Sequence, residues 1–210
     1  MGPPEHFQRT DESNDSQFYS FPRLVVHIDQ QAIEAVSRLF LDLIPSGAVV
    51  LDLMSSWRSH WPQGHPKNRM IGLGLNAEEM ADNPELDEYI IHDLNREPTL
   101  PFEDEAFDAV VLTVSAQYMT RPVETFQQVN RVMKTGGVCI VTFSNRMFPT
   151  KAVRIWREST DQGRMGLVTS YMESVGNFGE IRSGFVNPDN SPPADPIFTV
   201  VGRKGEIPLA

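Results

Sequence analysis

The chain has 210 residues, 40% hydrophobic and 22% charged, the proportions of an ordinary globular protein large enough to bury a core without disulfide or metal staples. With 28 acidic against 18 basic residues the formal net charge is −10, a field that repels phosphate backbones and anionic membrane surfaces and argues against nucleic acid as a partner. The lone Cys139 excludes an intrachain disulfide, and no apolar stretch reaches the length that a membrane span needs.

Residues 1–20 hold charges, Ser and Asn without an apolar period or a leader-like hydrophobic run. They are expected to form a disordered or loosely attached arm, with residues 21–210 as a single domain and the cytoplasm (or an organelle stroma) as the compartment. Asp29 is placed to cap a helix whose apolar stripe is Ile33, Val36, Leu39, Phe40 and Leu43, stopped by Pro45-Ser46-Gly47. The run 48–54 reads as a strand buried on both faces, and 69–75 as a second. Pro62, Gly64 and Pro66 between them leave room only for a short crossover helix.

Residues 76–80 open another helix, 84–86 turn, and 88–92 and 107–113 supply the third and fourth strands. Pro122 starts a helix with the stripe Val123, Phe126, Val129, Val132 and Met133, ended by Gly136-Gly137, which feed a fifth strand, 137–143, with Cys139 as a core residue. Helices near 150–157 and 164–175 follow. Two last strands, 178–186 and 196–203, are joined by a Pro-rich turn over 187–195. Such alternation implies an α/β, doubly wound, mostly parallel sheet closed by an antiparallel hairpin, with ligands bound beyond the carboxyl ends of the strands.

The usual hydrolase elbow, phosphate loop and dinucleotide fingerprint are missing, which leaves a nicotinamide oxidoreductase without its signature. His6, His27, His60, His65 and His92 lack metal-ligand spacing, so no metal site is expected. Arg146, Lys151, Arg154 and Arg157 recur at helical spacing and read as a solvated basic face. Trp57 and Trp61, one helical turn apart on the crossover, either rim a pocket or cover apolar surface at the sheet edge.

Three runs then occur in order: Val49-Val-Leu-Asp-Leu53, Leu100-Pro-Phe-Glu-Asp-Glu-Ala-Phe-Asp108 and Asn130-Arg-Val-Met-Lys-Thr-Gly-Gly137. Together they resemble the S-adenosylmethionine (SAM) dependent methyltransferases of type 11 over residues 44–143. The resemblance implies a Rossmann-like seven-stranded sheet, SAM as cofactor and methyl transfer to a small molecule. It places Asp52 against the cofactor amino group, Met54, Ser55 and Ser56 in the first cofactor loop, Asp93 and Leu94 at the adenine, and Ser115 beside the methyl path. Asp52 and Asp93 each have a second reading, as the cap of a following turn.

Two departures fall on the cofactor site. Asp52 is followed by Leu53-Met54-Ser55-Ser56-Trp57-Arg58 instead of a glycine loop, and Gly74 stands where the family carries its ribose-binding acid, with Asn76 as a partial replacement. They keep open the alternative of a methyltransferase-like binding or regulatory pseudoenzyme that has lost SAM affinity. Gln117, Tyr118, Asn145 and Arg146 are candidates to face a substrate, although packing accounts equally well for the first two and a surface ion pair for Arg146. If the acceptor must lose a proton, Tyr118 or His27 is the candidate base.

Overall fold

The continuous apolar runs become strands. The computed structural model describes residues 4–186 and 194–205. In it β1 (Ala48–Leu53), β2 (Lys67–Gly74), β3 (Glu88–Ile91), β4 (Phe107–Thr113) and β5 (Met133–Phe143) are parallel. β6 (Phe178–Phe185) and β7 (Phe198–Lys204) are antiparallel, and the sheet order is β3-β2-β1-β4-β5-β7-β6. The order reverses beside β1 and β4, so the crevice for a ligand opens at their carboxyl ends.

Among the described residues the α-helices are α1 (Asp15–Phe18), α2 (Gln30–Leu43), α3 (Ala77–Ala81), α4 (Pro122–Val132), α5 (Arg154–Glu158) and α6 (Asp161–Glu173). Side chains alternate across each strand. Leu51, Leu53, Val110, Leu112, Cys139 and Val141 meet Val123, Phe126 and Val129 of α4 and Val168 and Met172 of α6. On the opposite face Val50, Ala109, Val111, Val138 and Ile140 meet Ala32, Val36 and Phe40 of α2. The Asp29 side chain accepts from the Ala32 N–H at 2.9 Å and caps α2 as its sequence predicts. Among the described residues no helix is long and apolar enough to cross a membrane.

Several expectations are corrected. No helix forms between β1 and β2: Met54 and His60 have φ of 59° and 58°, Gly64 turns at 76°, and Pro62 and Pro66 lack N–H donors. Trp57 and Trp61 therefore diverge, and each half of their double reading is met by one of them. Trp57 faces the crevice, whereas Trp61 packs on Phe40 of α2 at 6.3 Å and donates to the His65 carbonyl at 2.9 Å. Helix α4 ends at Val132, and Gly136 (φ 78°) with Gly137 shapes a register shift inside β5 instead of ending a helix. A Cβ on Gly137 would lie 2.8 Å from the Lys134 carbonyl. Of the turn expected over 187–195, residues 187–193 lie outside the described residues.

Of the arm expected over residues 1–20, residues 1–3 lie outside the described residues, and 8–20 are docked on the domain. Asp15 is 4% exposed and accepts two bonds from Arg9 Nη1, both 2.7 Å, and one from Asn95 Nδ2 at 2.9 Å. The fully buried Lys151 ammonium lies 3.1 Å from the same carboxylate and donates to the Ser13 carbonyl at 2.7 Å. Backbone bonds from Asp11 to Thr150 (2.9 Å) and from Arg154 to Gln8 (2.8 Å) fasten the segment along α5. Burial works against ionised Asp15, but the hydrogen bonds from Arg9 and Asn95 outweigh it and hold the carboxyl below its usual range. The expected basic face is dissolved too, since Lys151 is internal and Arg154 pairs with Glu158 at 2.9 Å.

Removing one member of a buried charge cluster leaves the others uncompensated. Lys151→Ala is expected to cost about 3 kcal/mol or more in urea unfolding and to make residues 8–20 newly sensitive to limited proteolysis.

Candidate functional site

A cavity of about 410 Å³ opens at the carboxyl ends of β1, β2 and β4, a size suited to a small ligand. Residues 19–28 roof it, and Arg146, Met147 and Phe148, just after β5, form one wall. Asp52, Met54, Ser55, Ser56, Gly74, Asn76, Asp93, Leu94 and Ser115, expected at the cofactor, all line it.

Asp52, the penultimate residue of β1, is 3% exposed. Ser55 Oγ and Ser59 Oγ each donate to its Oδ2 at 2.6 Å, and no cation pairs with it among the described residues. Burial raises its pKa to about 6 against the opposing pull of these two hydroxyls. It is a carboxylate short of a positive partner. The Thr113 and Ser115 hydroxyls, at and just after the end of β4, are buried without hydrogen-bond partners, and both residues line the same cavity. Three of the five non-glycine residues with positive φ, Met54, His60 and Val114, also line it, and for β-branched Val114 (φ 51°) the conformation is strained.

The serine loop and the missing ribose acid are one structural change. Ser55 N–H donates to the Leu73 carbonyl at 2.8 Å, carrying the loop across the end of β2. Its own carbonyl oxygen then sits 2.3 Å from where a Cβ on Gly74 would be. Any side chain at 74 would collide with the loop backbone, so an acid there is excluded by the path of residues 54–56. Asn83 Nδ2 braces that path, donating to the Ser56 carbonyl and Ser59 Oγ at 2.9 Å each.

Other candidates are sorted by their contacts. Asn76 caps α3 through its Oδ1 (Glu79 N–H, 2.9 Å) and donates to the Tyr19 carbonyl at 2.8 Å, so both ends of its amide are engaged. Asp93 Oδ1 accepts from the N–H groups of Asn95 and Arg96 at 3.0 and 3.3 Å, the turn-forming reading, while the residue still lines the cavity. Gln117 is 1% exposed, lies outside the cavity lining and donates to the Val114 carbonyl at 2.8 Å. Asn145 is exposed and outside the lining as well. Arg146 reaches the rim, but Asp195 holds it at 2.8 Å.

Tyr118 lines the cavity and stacks on Phe148, yet its hydroxyl oxygen accepts the Phe148 N–H at 2.8 Å and burial pushes its pKa up. It is a packing residue and a poor base. His27 stands exposed at the mouth, edge-on to Phe148 at 5.2 Å, and partial desolvation favours its neutral form despite the pull of Glu79. Arg23 and Glu79 also line the cavity and were not signalled by the sequence. The Arg23 guanidinium lies over Phe18, Tyr19 and Phe148 at 4.6 to 5.5 Å, and Glu79 is 6% exposed on α3. Arg23 comes from a segment without apolar period, and Glu79 is one of two adjacent acids on a short helix.

Comparison with known proteins agrees with this geometry. Residues 67–141 match the type 11 methyltransferase domain. Solved structures of like fold include a SAM-dependent methyltransferase from Mesorhizobium loti (TM-score 0.60, 17% identity, covering 84% of this chain and 99% of that one). A TehB-like SAM-dependent methyltransferase from Corynebacterium glutamicum gives 0.57, 17%, 84% and 89%, and the [4+2]-cyclase SpnF gives 0.62, 15%, 90% and 91%. None of the curated proteins matches the sequence. Sheet order and crevice define the SAM methyltransferase fold class. Within it, the central segment, residues 67–141, is similar to the type 11 methyltransferase domain, and the solved structures of like fold include SAM-dependent methyltransferases.

Two outcomes follow from the site. Because the folded-state pKa of Asp52 lies above its unfolded value, ionising it costs stability, a cost absent below about pH 4 and complete above about pH 6. Asp52→Asn is expected to stabilise the protein by on the order of 2–3 kcal/mol at about pH 8 and not at about pH 4, read by urea unfolding at both. Gly74→Ala, forced against the Ser55 carbonyl, is expected to lose about 1–3 kcal/mol in the same assay.

Proposed function

We propose that the chain is a SAM-dependent methyltransferase acting on a small-molecule acceptor. The carrying observation is Asp52, a buried, cation-free carboxylate at the mouth of β1 that a ligand ammonium would complete. Ser115 and Thr113, whose hydroxyls have no protein partners, line the same cavity, and Asp93 with Leu94 line the side assigned to the adenine. SAM held against Asp52, Asp93 and Leu94 would supply an electrophilic methyl group: the acceptor's lone pair would form the new bond to carbon while the carbon–sulfur bonding pair stays on sulfur. The residues of this chain hold the acceptor in line and keep water out.

The roof supports a small acceptor. Trp57 Nε1 donates to the Val25 carbonyl at 3.0 Å, pinning residues 19–28 across the cavity. Arg23 replaces Arg146 as the residue for an anionic group, because it has no carboxylate partner among the described residues and its buried Nη1 has no hydrogen-bond acceptor. His27, neutral at the mouth, is placed to accept a proton from an acceptor that must lose one. The single buried thiol, Cys139, suits a reducing compartment such as the cytoplasm.

Calorimetric titration with SAM and S-adenosylhomocysteine tests this reading. Saturable one-to-one binding is expected, weaker by about tenfold at pH 5 than at pH 8 because Asp52 must be ionised to receive the ammonium, and lost in Asp52→Asn. Absence of binding by either ligand near millimolar concentration would sink the proposal and leave the pseudoenzyme reading.

A further inference from the structure

The crossing of Ser55 over Gly74 closes the end of β2 to any side chain, so a ligand hydroxyl pair at that edge of the cavity must find its acceptor elsewhere. Four carboxylates line the cavity. Asp15 is consumed by Arg9, Lys151 and Asn95, Asp52 belongs to the end of β1, and Asp93 is folded into its own turn. Glu79 remains, on the helix that directly follows β2.

Its surroundings are those of an acceptor with capacity to spare. Glu79 Oε2 accepts from Ser56 Oγ and Oε1 from the Arg23 backbone N–H, each at 2.6 Å, and no cation pairs with it among the described residues. A carboxylate offers about four lone-pair sites, so two neutral donors leave about two open. A buried carboxylate held only by neutral donors is costly to keep unless further donors arrive. The Ser56 hydroxyl fixes its orientation, and Ser56 belongs to the loop that displaced the side chain from position 74.

We infer that Glu79 is the carboxylate that accepts the vicinal ribose hydroxyls of the bound nucleoside, taking over from α3, five residues later, the role that Ser55 denies to a side chain at Gly74. The inference rests on the SAM reading above. It also makes the roof part of nucleoside binding, since the carboxylate that meets the diol is the one that holds the backbone of Arg23. Ser56 is a positioning residue, acting through Glu79.

The test is a binding cycle with S-adenosylhomocysteine and its 2′-deoxy analogue on wild type, Glu79→Gln and Ser56→Ala, with thermal melting to establish that each variant is folded. In wild type the deoxy analogue is expected to bind about tenfold more weakly. Glu79→Gln is expected to weaken S-adenosylhomocysteine by about tenfold or more while leaving the deoxy analogue within about twofold, so discrimination disappears. Ser56→Ala is expected to reduce discrimination partly. If Glu79→Gln binds both ligands like wild type, or loses both equally, Glu79 does not read the ribose and the methyltransferase reading stands. If wild type binds neither ligand, both readings fall together.

Discussion

The approach of the Ser55 carbonyl to the backbone of Gly74 is the constraint on which the rest of the site turns. A chain that crosses so near to its neighbour can do so only where that neighbour has no side chain. The crossing carries Ser55 and Ser59 to Asp52 and Ser56 to Glu79, so two buried carboxylates are dressed by hydroxyls from one short loop. The two departures from the type 11 pattern share one backbone path, with Met54 in a left-handed conformation as its local cost.

That rearrangement exchanges one kind of binding surface for another. A glycine loop presents backbone N–H groups to a ligand, whereas this loop presents hydroxyl-braced carboxylates and the indole of Trp57. The Trp57 ring carries the Arg58 guanidinium at 3.9 Å on its face and ties the roof through Val25. The crevice between β1 and β4 is kept; its lining is rebuilt with side chains. That a [4+2]-cyclase shares the fold shows how far chemistry on this sheet is set by lining and not by topology.

The sheet was legible because buried parallel strands are continuous apolar runs bounded by turn residues, and 107–113 falls on its observed limits. The β1 to β2 crossover was misread because parallel strands are usually joined through a helix, while positive φ at Met54 and His60 leaves no trace in residue type. The N-terminal segment was missed for a different reason. Its docking is ionic, through partners more than a hundred residues apart, and hydrophobic periodicity is blind to that. At the site, strand-end residues were found by position, as Asp52 and Ser115 show. Glu79 and Arg23 act through distant partners and had no local signature, and Gln117 and Asn145 sit at strand-end positions but turn away from the cavity.

The lock between Arg9, Asp15 and Lys151 has a consequence for the life of the molecule. Lys151 is synthesised after β5, so a growing chain carries all five parallel strands before the segment around Asp15 gains its buried ammonium. The roof differs, because Val25 and Arg23 are held by Trp57 and Glu79, which are both made before β4. Covering the cavity and docking the N-terminal segment thus become possible at different lengths of the growing chain.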